Sequence, residues 1–167
     1  AKLFLALFNM SGYDENMDPK KGTMYSEYLL RDLLISNPDN HGVHHYWIHQ
    51  MENSCPEEAL SSADKLADLA PESGHIVHMP GHIYYKLGDY KKAHDQFIRS
   101  MQVDSTYMAD QNIKEIDNWN YIHNLNYLLA NCAQDGRYTE GLHYAERLEK
   151  MVAVADRIDT HRGAYFY

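Results

Sequence analysis

Residues 74–107 read GHIVHMPGHIYYKLGDYKKAHDQFIRSMQVDSTY, and this stretch decides the fold. Gly88-Asp89 is a turn between two helical runs. Ala93 and Phe97, a small and a large residue four apart, lie on one packing face of the second run. Gly81 supplies the small surface at which the first helix can approach the second. The second helix is expected to end near Asp104-Ser105.

The same arrangement appears on both sides. Moving back 34 residues places Ala59, Ala63 and Leu66 on Ala93, Phe97 and Ser100. Pro56 then stands at a first-turn position and Pro71 follows the helix end, the two places where proline suits a helix. Trp47 falls where Gly81 stood, so the first helix of this unit must pack differently. A third unit is offset by 48 residues, with Gly136-Arg137-Tyr138 on Gly88-Asp89-Tyr90 and Gly141 and Ala145 on the packing places. The extra 14 residues, roughly Ser105 to Asn118, are expected to interrupt the stack.

These matches predict helices near 1–10, 23–36, 41–53, 56–69, 74–87, 90–103, 119–135 and 138–155. No period-two pattern of strands competes. The expected fold is all-α: a right-handed superhelical stack of antiparallel helix pairs in which each pair buries its apolar face against its neighbours. It forms a single domain over 1–167, with a half-unit at 1–39 and repeats at about 40–73, 74–107 and 122–155. The chain opens in what reads as mid-helix and closes on Tyr165-Phe166-Tyr167, which predicts a segment of a longer protein.

Bulk properties narrow the function. Hydrophobic residues make up 44 % and charged residues 23 %, values of an ordinary globular domain. A net charge of −9 argues against nucleic acid, whose phosphates call for basic patches. No apolar run approaches the ~20 residues of a membrane span, and no targeting segment is present, so a cytoplasmic location is the default expectation. Cys55 and Cys132 are too far apart in sequence for a zinc ribbon, and two cysteines do not make a disulfide framework. Asp14-Glu15-Asn16-Met17-Asp18 lacks the glycine and distal glutamate of a calcium loop and reads as a polar loop.

The chemical signal is histidine. Eight of the eleven fall within residues 41–94. At about 100° per residue, His75, His78 and His82 share a narrow helical face. His45, His49 and Glu52, at i, i+4 and i+7, share another, joined by His41; His44 points elsewhere. Imidazole and carboxylate groups at these spacings on adjacent helices suit a transition-metal site inside a helical array. The candidate ligands are His45, His49, Glu52, His75, His78, His82 and His123. Zinc is the first choice from ligand type, with iron, copper, nickel and manganese left open. Glu52, Asn124 or Asn126 would accept from the second nitrogen of a ligating ring. The alternative is a buried network of histidine, tyrosine and asparagine without metal.

Residues 81–104 resemble one tetratricopeptide repeat. The longer pattern His45-Tyr46, Ile48-His49, Pro71, His75, His78-Met79-Pro80, His82-Ile83-Tyr84, Gly88-Asp89-Tyr90, with His123 and Tyr127-Leu128 further on, resembles a bacterial family of histidine-containing tetratricopeptide-repeat proteins. Asn40 and His41 depart from it, so His41 and His44 are left outside the site. The resemblance implies the stacked-hairpin fold and a histidine-lined concave groove, and it favours convergence of the two histidine faces. It implies no reaction.

Three functions follow as expectations. The first is a binding or scaffold module whose concave groove takes a protein, a peptide or a small ligand and holds a transition metal. The second is a metal-dependent enzyme of hydrolase type, with Glu52 as ligand or general base. The third is a structural half of a larger repeat protein, whose truncation would expose Leu3, Leu5 and Phe8 and drive self-association.

Overall fold

A computed structural model describes residues 1–153, with side chains as far as Met151. Positions 154–155 of the third unit and the closing Tyr165, Phe166 and Tyr167 lie outside the described residues. Eight α-helices are present among the described residues: α1 (Lys2–Asn9), α2 (Thr23–Ser36), α3 (His41–Met51), α4 (Leu60–Leu69), α5 (Gly74–Lys86), α6 (Tyr90–Gln111), α7 (Trp119–Gln134) and α8 (Tyr138–Ala153). Short 3-10 turns at Pro56–Ala59 and Glu115–Asp117 precede α4 and α7. The expected all-α class holds. Among the described residues the sole β feature is an isolated bridge between Tyr13 and Pro19. No described helix is long and apolar enough to cross a membrane.

Each helix packs chiefly on its neighbours in the chain, and α5 also touches α3 and α7. That pattern follows from the turns. Gly88 and Gly136 adopt left-handed φ values of 79° and 71°, which glycine accepts without strain, and each reverses the chain between two helices. Asp89 and Asn118 cap α6 and α7 by accepting from the backbone N–H groups of Lys92 and Tyr121.

The core runs through the stack as Leu30, Ile48, Leu66, Met79, Ile83, Phe97, Leu125 and Leu128, all fully buried. Ala59 and Ala93 are buried at the predicted small-residue place, and Ala63 is buried at the place that aligns with Phe97. Trp47 is buried where the next unit has Gly81, donates its indole N–H to the Glu58 carbonyl, and lies under the Arg31 guanidinium.

The insert does not interrupt α6. The helix passes Asp104-Ser105 and continues to Gln111, because residues 104–111 contain no glycine or proline and Met108 finds a buried place. It stops at Asn112, whose φ of 53° is left-handed. The Asp14 loop is polar, as expected: its carboxylate accepts from the backbone N–H groups of Asn16 and Asp18. On the first helix Leu5 and Phe8 are exposed, but Leu3 is half-buried against the core.

The cap at Asn118 supports the helix that carries His123. Asn118→Ala is expected to cost about 1 kcal/mol. Urea unfolding should show a lower midpoint at unchanged slope, with Asn118→Ser close to wild type.

Candidate metal centre

The candidate ligand histidines gather on α3, α5 and α7. The two faces left open by periodicity converge: His45 Nε2 lies 3.1 Å from His75 Nε2 across the α3–α5 seam. Two groups of three form, His45/His49/His75 and His78/His82/His123. In each, one ligand nitrogen per residue lies within 4.8 Å of the others. The first group is half-buried; in the second, His78 and His82 are buried and His123 half-buried.

In the second group the hydrogen-bond partners fix the tautomers. Asn124 donates its amide nitrogen to the Phe97 carbonyl at 2.7 Å, so its Oδ1 faces His78 Nδ1 at 2.6 Å. His78 must therefore carry its proton on Nδ1 and a lone pair on Nε2. His82 donates from Nδ1 to Glu52 Oε2 at 2.5 Å, so in its neutral form it too has a lone pair on Nε2. These two lone pairs face each other across 2.7 Å. Two such nitrogens repel unless a proton or a metal cation lies between them. Nitrogens sharing a tetrahedral zinc ion at ~2.0–2.1 Å stand about 3.3 Å apart, so small ring movements would seat an ion.

Electrostatics disfavours the proton on His78, whose pKa burial holds well below the ordinary value, with repulsion from His82 and His123 adding to it. His123 is lowered to about 4, and His45 to about 3, by burial first and by neighbouring histidines second. Glu52 goes the other way. Burial raises its pKa, but hydrogen bonds from His49 and His82 outweigh this and bring it to about 2, so the carboxylate stays ionised. Neutral rings are the form a transition metal binds, and burial favours that form at His45, His75, His78 and His123.

Glu52 touches two of the candidate rings, His82 and, at 3.4 Å, His49 Nδ1. Asn124 also takes the expected acceptor role. Asn126 does not: its buried Oδ1 meets no donor, while its amide donates to the Ile122 carbonyl on its own helix. His41 is exposed. His44 turns away to Ser62 Oγ and the Pro38 carbonyl, both at 2.8 Å, as its angular offset requires. Tyr127 stacks on His82 with ring centroids 4.3 Å apart, and the exposed Trp119 lies against His75 and His123.

Residues that sequence reasoning passed over also take part. Asn120 accepts from His75 and donates to the buried Asp104. A third cluster joins His94, Cys132 and Glu140 from three helices. There His94 Nε2 meets Glu140 Oε1 at 2.7 Å, Tyr144 donates to the same oxygen, and burial with the Glu140 charge pushes the Cys132 thiol up to about 11. With its thiol protonated and its imidazole spent on a carboxylate, this cluster ties α6 to α8.

Three imidazoles leave a fourth position open on a bound ion, where a zinc-bound water would ionise near neutral pH. No family model, curated protein or solved structure matches this chain.

Proposed function

We propose that the chain is a helical-repeat module of tetratricopeptide type that binds a divalent transition-metal ion, zinc before iron, copper, nickel or manganese, through His78, His82 and His123. One observation carries the reading: the Nε2 atoms of His78 and His82 face each other at 2.7 Å while both Nδ1 atoms are committed to acceptors. The turns at Gly88 and Gly136 and the neighbour-by-neighbour packing support the stacked-hairpin architecture. The right-handed superhelix, with these histidines on its concave side, is part of the same proposal. The open coordination position would take water or a small ligand. Glu52, engaged with the rings, orients ligands in this reading and does not serve as a general base.

The test is elemental analysis of protein purified without a histidine tag, before and after chelation, beside His78→Ala/His82→Ala. At least one ion per chain is expected, with one fewer in the double variant while helical circular dichroism persists. Absence of metal after incubation with zinc, iron and copper would sink the reading. A hydrogen-bonded polar groove for a peptide or small ligand would then remain.

A further inference from the structure

His75 repeats, one turn earlier on α5, the arrangement of His78. Its Nδ1 lies 3.1 Å from Asn120 Oδ1, as that of His78 lies 2.6 Å from Asn124 Oδ1. The two asparagines stand one turn apart on α7, in step with the two histidines. Asn120 commits its amide nitrogen to Asp104 Oδ2 at 2.6 Å, so its oxygen must face His75. His75 thus holds its proton on Nδ1 and turns a lone pair on Nε2 toward His45. A buried carboxylate, an amide and an imidazole form a relay that makes the ring a better donor to a cation. Asp104 can occupy its place only because residue 74 is glycine: a Cβ there would overlap the carboxylate, with Oδ2 at 2.9 Å.

We propose that His45, His49 and His75 bind a second divalent transition-metal ion, so that the chain carries a pair of ions linked through Glu52. This rests on the reading that the His78 group binds the first. Glu52 contacts one ring from each group, His49 through Oε1 and His82 through Oε2. The groups adjoin, with His75 and His78 ring centroids 6.2 Å apart and those of His49 and His82 6.3 Å apart. The second ion occupies the half-buried group, so it exchanges faster and is the first removed by a chelator. Two divalent ions against the single Glu52 carboxylate leave excess positive charge, which suits hydroxide or a small oxyanion at the open positions.

The experiment is metal stoichiometry of the full, untagged chain loaded with zinc or cobalt, measured by native mass spectrometry and elemental analysis. Two ions per chain are expected for the wild type, with the second leaving at lower chelator concentration. His45→Gln/His75→Gln should bind one ion. A wild-type chain that saturates at one ion overturns the inference and leaves the His78 site standing. A chain that binds none overturns both. Wild-type stoichiometry decides the matter even if the double variant fails to fold.

Discussion

Acidifying the metal-free protein from pH 7 to 4 is expected to unfold it. Four of the clustered histidines have folded-state pKa values below the ordinary 6.5: His45 near 3, His123 near 4, and His75 and His78 lowered by burial and by their neighbours. The sign follows from proton counting. Below pH 6.5 the unfolded chain protonates these rings and the folded chain does not, so the unfolded state binds more protons and stability falls as pH falls. The loss begins near the unfolded value and continues until the folded values are reached. Each proton of difference gives a slope of about 1.4 kcal/mol per pH unit. The rings titrate as a coupled group and solvent reaches the half-buried ones, so half of the four-proton slope, about 3 kcal/mol per unit, is a fair scale. Across about two and a half units that approaches a domain's whole stability of ~5–15 kcal/mol. Circular dichroism against pH, in chelator, should show cooperative loss of helix between pH 6.5 and 4. Stoichiometric zinc should move the midpoint to lower pH, because proton and ion compete for the same lone pairs. A metal-free chain that keeps its helix and its urea midpoint down to pH 4 would show that these rings are not held neutral by the fold.

The histidines were legible because their chemistry is local. Three residues on one helical face announce themselves by i, i+3 and i+4 spacing, and the turns at Gly88 and Gly136 mark which helices are paired. What spacing could not give was the sign of the offset between α3 and α5, which shows only where His45 meets His75. The acceptors were harder. His75 and Asn120 are 45 residues apart, and although Asn120 and Asn124 share an α7 face that Asn126 does not, spacing alone does not name their partners. The choice depends on what each amide nitrogen meets: Asp104, the Phe97 carbonyl, or the Ile122 carbonyl of its own helix. The end of α6 departs from the 34-residue period because the sequence offers no breaker before Asn112. Asp104, placed by that period at a helix end, instead sits inside the helix and holds Asn120.

Gly81→Ala is expected to destabilise the fold and weaken the metal site together, although alanine in a helix interior ordinarily gains about 1 kcal/mol over glycine. A Cβ at position 81 would overlap the Phe97 ring, with Cδ1 and Cζ at 2.7 Å. The ring cannot retreat. Phe97 is fully buried, with the rings of His78 and Tyr127 centred 4.9 and 5.4 Å away. Relief must come from α5 moving off α6, at the ~1–3 kcal/mol typical of overpacking or somewhat more. For a chain of this length each kcal/mol lowers Tm by about 2–4 °C. The movement also displaces the site, because Gly81 lies between His78 and His82 while the Phe97 carbonyl holds Asn124. Separating α5 from α6 therefore breaks the register between His78 Nδ1 and Asn124 Oδ1 as well as the core contact. Thermal unfolding with and without zinc should show both losses, and Gly81→Ala/Phe97→Leu should recover part of the Tm by returning the space. An alanine variant as stable as wild type would mean that α5 and α6 do not approach closely at Gly81, and the packing that aims His78 and His82 at each other would fall with it.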